Sequence, residues 1–317
     1  MDRNDSTDGF NRVDATDLIS KEVKTLNFRQ WIEKLNHLYS NSKTVKSKNK
    51  RDEDLLKSVI KNSIPLLLRP YAYMVFSGGF IHLKRSYEDP EYKADFRALS
   101  KKYEEVKGGF DDYREIKRTN PSEVSKEHQI VYEALIQIDK DLGRTYFPQT
   151  LKILAWKEEG EEMDHLEEIE QLEGEIEHLQ AVVREVLICY VLLKPEVGYV
   201  QGMNSIVSQL AYQFFLCEKI EKNEDLQDHQ DIANLAKLRD FCDLKMRRDA
   251  RELFYIFLGL MEFYRLERCF GVGMEYLMER IDLFELYFKK ELPELHERMC
   301  GNGVKKFQKI KIFQFFC

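Results

Sequence analysis

Apolar residues recur along most of this chain at steps of three and four, the spacing of one face of an α-helix. Phe28, Trp31, Ile32, Leu35, Leu38 and Tyr39 make one such face. Leu55, Leu56, Val59 and Ile60 begin another, which Pro65 should stop near Ser63, because proline removes a donor and disfavours helix at the residue before it. Val131, Leu135, Ile138 and Leu142 keep the same period between Ser122 and Tyr146. Leu253, Phe254, Phe257, Leu258, Met261 and Tyr264 form a strongly apolar face that reads as core rather than ligand pocket. Proline is absent between Pro148 and Pro195 and again between Pro195 and Pro293, which suits long helices. Clear strand alternation is lacking, so the pattern predicts an all-α fold.

The longest periodic stretch is Ile169, Leu172, Ile176, Leu179, Val183, Val186, Tyr190 and Leu193, a heptad seam. It predicts one helix from about Glu161 to Leu193, weakened at Gly174. Its start is heavily acidic: residues 158–177 hold eleven Asp or Glu and no Lys or Arg. Like charges flanking the seam would repel an identical helix, so the seam is expected to pack within this chain, with the acidic end protruding.

The polar segments divide the rest. Residues 1–26 read as a flexible lead-in, and 27–51 as the Trp31 helix followed by a basic linker carrying Lys43, Lys46, Lys48, Lys50 and Arg51. Residues 52–299 read as the main domain, interrupted by the acidic segment at about 158–178 and a polar one at about 218–245. Residues 300–317, a Gly, Asn, Lys, Ile, Phe and Gln tail, have a different character.

Composition agrees with long solvated helices. Of 317 residues, 33% are charged and only 15 are Gly and 7 Pro, while 43% hydrophobic content excludes a disordered chain. Net charge of −7 argues against a broad nucleic-acid footprint. The six cysteines contain no C-x-x-C pair, so neither a zinc site nor a disulfide framework is implied. The N-terminus has no apolar core of a signal peptide, and no run reaches the roughly 20 apolar residues that span a bilayer. The expectation is a reduced, cytoplasmic protein. Phosphate-loop, H-E-x-x-H and G-x-S-x-G patterns are all missing, and no self-contained catalytic centre is evident.

Two segments carry candidate chemistry. In Ile138-Asp139-Lys140-Asp141-Leu142-Gly143-Arg144-Thr145, Asp141 and Arg144 are three apart and would share a helix face. Read alone, that is either an ordinary surface ion pair or a carboxylate that orients a guanidinium. Gly198-Tyr199-Val200-Gln201-Gly202-Met203-Asn204 follows Pro195 and precedes an apolar helix. Its two glycines fit either a plain helix-entry turn or one that must approach a partner closely.

Together, in this order, the segments resemble the I-x-x-D-x-x-R and Y-x-Q-G-M-N signature of the TBC-domain family of GTPase-activating proteins for Rab GTPases. The matching positions are Ile138, Asp141 and Arg144, then Tyr199, Gln201, Gly202, Met203 and Asn204. Ile64-Pro65-Leu66-Leu67-Leu68-Arg69 is similar to the family's opening G-I-P-x-x-x-R, and Leu292-Pro293-Glu294-Leu295-His296 to its L-P-x-L-x-x-H region. Likeness extends over about 27–299. The resemblance implies a multi-helix domain that completes a Rab active site in trans, with Arg144 as arginine finger and Gln201 as glutamine finger. Asp141 would position Arg144; Ile138, Thr145, Tyr199, Gly202, Met203, Asn204 and Arg69 would support the two motifs. No cofactor of its own is implied, since GTP and Mg2+ are carried by the GTPase. A role in vesicle trafficking follows, with peripheral endomembrane association through partners and no prediction of oligomeric state.

Three departures from the family pattern stand out. Tyr73 replaces a favoured Trp four residues after Arg69, and 56 residues separate Arg144 from Gln201, a longer interval than usual that coincides with the acidic segment. The tail after Cys300 lacks the family's further helices, and the expectation is a domain truncated at its C-terminal end. That departure favours an alternative, a non-catalytic Rab-binding or helical adaptor, or a product made inactive by the truncation; the presence of both Arg144 and Gln201 opposes the adaptor, because a scaffold needs neither finger.

Overall fold

The computed structural model describes residues 64–119, 125–160, 163–222, 249–271 and 275–300. The expected lead-in, the 27–51 segment, the Leu55–Ile60 helix, most of the polar 218–245 stretch and the tail beyond Cys300 lie outside them. Every regular element among the described residues is helical. A 3-10 turn at Leu66–Leu68 leads into α1 (Arg69–Phe76), α2 (Gly79–Glu88), α3 (Phe96–Gly108), α4 (Phe110–Thr119) and α5 (Lys126–Leu142). Then follow α6 (Pro148–Glu159), α7 (Leu166–Leu193), α8 (Met203–Lys222) and α9 (Ala250–Phe263). A second 3-10 turn at Leu266–Phe270 precedes α10 (Glu275–Glu291) and α11 (Pro293–Cys300).

The chain divides into two compact units, one of residues 1–76 and 212–248, the other of 77–211 and 249–317. In the first, α1 follows directly from the 3-10 turn. Arg69 ties this entry down: its Nε donates to the Ile64 carbonyl at 3.0 Å and its Nη1 to Gln213 Oε1 at 2.8 Å. The Cys217 thiol donates to the Leu66 carbonyl at 3.0 Å. Tyr73 stands half-buried on α1, where burial raises its phenol above the ordinary range.

The second unit is built around α7, which packs against α3, α5, α6 and α9. Its sequence explains that placement. From Val186 to Val191 every residue is fully buried, so this half is apolar on all sides and must be surrounded by other helices. The preceding half is acidic and exposed on most of its surface, with Ile169 and Leu179 buried and Leu172 and Ile176 half-buried. Gly174 lies within a continuous helix. The seam therefore packs inside this unit. The acidic end is not bare: α6 lies alongside it, with Gln149 Nε2 3.3 Å from Glu175, Lys152 Nζ 3.5 Å from Glu168, and Trp156 stacked on His165 at 4.2 Å between ring centroids. The helix begins at Leu166 rather than near Glu161, because residues 163–165 form a turn.

Local chemistry sets the other helix ends. Asp95 and Ser125 accept from the first-turn amides of α3 and α5, and Asp249 with Glu252 forms a capping box on α9. Pro148 opens α6, where a missing N–H costs nothing, and Gly160 closes it at φ +75°. The apolar face expected from Leu253 to Met261 is fully buried, whereas Tyr264 caps the helix end and is 50% exposed.

Two glycines let α2 and α9 touch. A Cβ on Gly259 would lie 2.4 Å from the Ser77 carbonyl oxygen and 2.9 Å from the Gly79 nitrogen, and one on Gly79 would lie 2.7 Å from the Tyr255 carbonyl oxygen. These neighbours are backbone atoms and cannot rotate away. Gly259→Ala is expected to destabilise the unit by about 1–3 kcal/mol, the usual range for overpacking. A lowered denaturant midpoint at unchanged m value would report it; an unchanged midpoint would contradict the close approach.

Candidate functional site

The site grows from the C-terminal end of α5. Ile138 and Leu142 point into the core with 0% and 1% exposure, which fixes the rotation of the last two turns. That rotation buries Asp141 completely as well. A buried carboxylate without partners would cost several kcal/mol. Asp141 has partners from both directions. Gln137 Nε2, one turn earlier, donates to its Oδ1 at 3.1 Å, Arg144 Nη2 donates to the same oxygen, and the Tyr199 hydroxyl donates to Oδ2 at 2.7 Å.

The expected Asp141–Arg144 pair is thus present, but not along a helix face. The helix stops at Leu142; Arg144 N–H returns to the Asp141 carbonyl at 3.3 Å and Thr145 N–H to the Leu142 carbonyl at 3.1 Å. Arg144 consequently stands just past the helix end with its side chain 57% exposed, one nitrogen held by Asp141. Its Nε and Nη1 make no hydrogen bond among the described residues.

The second segment is a turn between α7 and α8. After α7 ends, the Lys194 carbonyl accepts from Val197 N–H at 3.1 Å and Gly198 N–H at 3.0 Å. Gly198 then takes φ +67° and Gly202 φ +108°, conformations that residues with a Cβ rarely adopt. Between them Tyr199 turns inward to Asp141 and Gln201 outward to solvent. Fully buried Met203 begins α8 and anchors the far end.

A chain of hydrogen bonds joins the two segments beside the Asp141–Tyr199 contact. Gly202 N–H donates to Asn204 Oδ1 at 3.0 Å, Asn204 Nδ2 to Thr145 Oγ1 at 2.9 Å, and Thr145 Oγ1 to the Asp141 carbonyl at 2.7 Å. Two independent links therefore fix the residues flanking Gln201 to the residues flanking Arg144. Burial, and then the Asp141 carboxylate it faces, push the Tyr199 phenol well above its ordinary range, so its hydroxyl stays a donor.

Ile138, Asp141, Arg144, Thr145, Tyr199, Gly202, Met203 and Asn204 all belong to this one cluster, with Gln201 on its exposed rim. Arg69 belongs to the other unit, where its side chain bonds the Ile64 carbonyl and Gln213. Sequence reasoning missed Gln137, although its i, i+4 spacing from Asp141 was a usable signal, and Gln180, whose Nε2 reaches the Leu142 carbonyl at 3.2 Å from α7. Chemically, the cluster offers a permanently charged planar donor and a neutral amide to solvent, both borne on braced backbone. Among the described residues no group of His, Cys, Asp and Glu is placed to hold a metal ion, and no helix is long and apolar enough to cross a membrane.

No curated protein sequence matches the chain. A solved crystal structure, the Ypt/Rab-GAP domain of Gyp1p, is 16% identical, with 86% of this chain and 69% of that one covered at a TM-score of 0.40. The family model for the Rab-GTPase-TBC domain matches residues 96–314, well over half the chain and inclusive of every residue of the cluster. On that match this chain belongs to the Rab-GTPase-TBC domain family.

Proposed function

We propose that this chain accelerates GTP hydrolysis by a Rab-family small GTPase, supplying Arg144 and Gln201 in trans to an active site that the GTPase alone leaves incomplete. The observation that carries the reading is the split character of Arg144: one guanidinium nitrogen is held by a buried carboxylate while the rest of the group faces solvent. An ion pair made only for surface stability needs no buried carboxylate and no second anchor from Tyr199.

Phosphoryl transfer to water is limited by positioning and by charge gathering on the transferring group, so fixed donors from a partner suffice to accelerate it. The Arg144 fork would face the phosphate oxygens with Nε and Nη1 while Asp141 keeps its plane fixed. Gln201 would present its amide to the attacking water, its Oε1 accepting a hydrogen bond from the water and its Nε2 donating one. Tyr199 on one side and the Gly202–Asn204–Thr145 chain on the other would hold the spacing between the two side chains, which makes them a preformed pair. The nucleotide and its Mg2+ would arrive with the GTPase, and any approach to an endomembrane would come through that partner.

An arginine finger in trans contributes about a thousand- to a hundred-thousand-fold in rate. Single-turnover GTP hydrolysis across a panel of Rab proteins should therefore show one or more that respond to the wild-type chain and lose nearly all of the stimulation with Arg144→Ala or Arg144→Lys. Binding of the GTP-loaded Rab should change little. Equal rates for wild type and Arg144→Ala would overturn the finger assignment. Tyr199→Phe removes one donor from Asp141 and leaves both finger side chains in place. It is expected to lower stability by about 1–3 kcal/mol in denaturant unfolding and the stimulated rate by about tenfold, equivalent to about 1.4 kcal/mol of barrier. A variant with wild-type rate and wild-type midpoint would show that the Tyr199–Asp141 bond braces nothing.

A further inference from the structure

The turn that carries Gln201 has a further support, outside the signature residues. Lys194 is the residue on which α7 ends. Its N–H donates to the Tyr190 carbonyl at 2.8 Å, and its carbonyl is the double acceptor that starts the turn by binding Val197 and Gly198 N–H. A lysine with a free side chain would leave this hinge attached only through backbone. Here the side chain is 24% exposed, and its Nζ lies 3.1 Å from Glu262 Oε1 on α9 and 3.7 Å from Glu267 Oε1 on the 3-10 turn Leu266–Phe270. Burial disfavours the ammonium, but the hydrogen bond to Glu262 and the charges of Glu262, Glu267 and Glu196 outweigh it and raise the pKa. Lys194 is therefore charged throughout the neutral range.

The same 3-10 turn reaches the other end of the loop. Phe270 lies against Gly202, where a Cβ would come within 3.7 Å of its ring. Glu267 thus meets the turn at its first residue and Phe270 at its last, so one short element closes both sides of the loop that carries Gln201. Glu262 is itself held in place, with His82 Nε2 3.5 Å from its second oxygen and the His82 Nδ1 bonded to the Tyr92 hydroxyl at 2.6 Å. The path from α2 through Glu262 to Lys194 gives the turn a footing on α9 that does not pass through Asp141.

We infer that Lys194, through Glu262 and Glu267, is a positioning residue for Gln201: it fixes the base of the turn, as Tyr199 and Asn204 fix its middle and end. The inference rests on the GTPase-activating reading for its effect on rate, but not for its effect on the turn. Its consequence is specific. Loss of the ammonium should loosen residues 195–204 and lower the rate at saturating chain concentration, because Gln201 is then correctly placed for a smaller fraction of the time, while the concentration for half-maximal stimulation stays the same.

The test uses the full chain in three variants, Lys194→Met, which keeps the length and removes the charge, Lys194→Arg, which restores it, and Glu267→Gln, which weakens only the 3-10 turn contact. Amide hydrogen exchange of the peptide covering 195–204, measured without any GTPase, should be faster by about tenfold or more in Lys194→Met, faster to a lesser degree in Glu267→Gln, and close to wild type in Lys194→Arg. With a responsive Rab, the maximal stimulated rate should fall about tenfold in Lys194→Met and recover in Lys194→Arg, with half-maximal concentration unchanged. If Lys194→Met fails to fold, Glu267→Gln carries the same comparison. Wild-type exchange in 195–204 for both Lys194→Met and Glu267→Gln would overturn the inference, as would a rise in half-maximal concentration at unaltered maximal rate. A wild-type chain that stimulates no Rab would instead count against the proposed function, and the exchange comparison would still decide what Lys194 does to the turn.

Discussion

The arrangement of the candidate site depends on one buried carboxylate. Asp141 is inaccessible to solvent, yet it stands one residue before the end of a helix and accepts from groups on two segments distant in sequence. Burying a charge is costly unless donors surround it, so Asp141 acts as a constraint: the chain folds stably in this region only when Gln137, Arg144 and Tyr199 converge on it. The convergence places a charged, exposed guanidinium and an exposed amide on one braced cluster. Stability of the fold and geometry of the site are here the same set of hydrogen bonds.

Helix α7 makes that convergence feasible. It joins the α6 side of the unit to the turn that carries Gln201, and over its 28 residues spans about 42 Å. Its C-terminal half is buried on all sides by α3, α5 and α9, so the position of Lys194, and hence of the turn that follows, is set by the core. Its acidic half is paired with α6 through Lys152, Trp156 and Gln149. The long interval between the two motifs is thus taken up by packed helix, which transmits position, and the glycine contacts between α2 and α9 lock a further helix pair of the same unit.

What could be read from the residues alone follows from how local each signal is. The helical period placed α5, α7 and α9, since burial of an apolar face is a property of short windows. The Asp141–Arg144 spacing and the two turn glycines are equally local, and both were legible. The helix end was not: Gly143 and the return bonds at Arg144 and Thr145 shift the pair from a helix face to a turn, a change of one residue that periodicity cannot resolve. Contacts across long separations were out of reach. Tyr199 to Asp141 and Asn204 to Thr145 each join residues almost sixty apart, and Lys194 to Glu262 joins α7 to α9. Arg69, grouped with the two motifs by resemblance, lies in a different unit, where it bonds Ile64 and Gln213.

The central claim is that Arg144 and Gln201 act together on the reacting phosphate. A crystal structure of the chain bound to a responsive Rab carrying GDP, Mg2+ and aluminium fluoride would test it most directly, since the planar fluoride stands in for the transferring phosphoryl group. The account predicts the Arg144 guanidinium within hydrogen-bond reach of a fluoride and the β-phosphate, and the Gln201 amide in contact with the attacking water, with the Tyr199–Asp141 bond retained. A complex in which either side chain points away from the nucleotide, with the Rab's own residues completing the site, would contradict it.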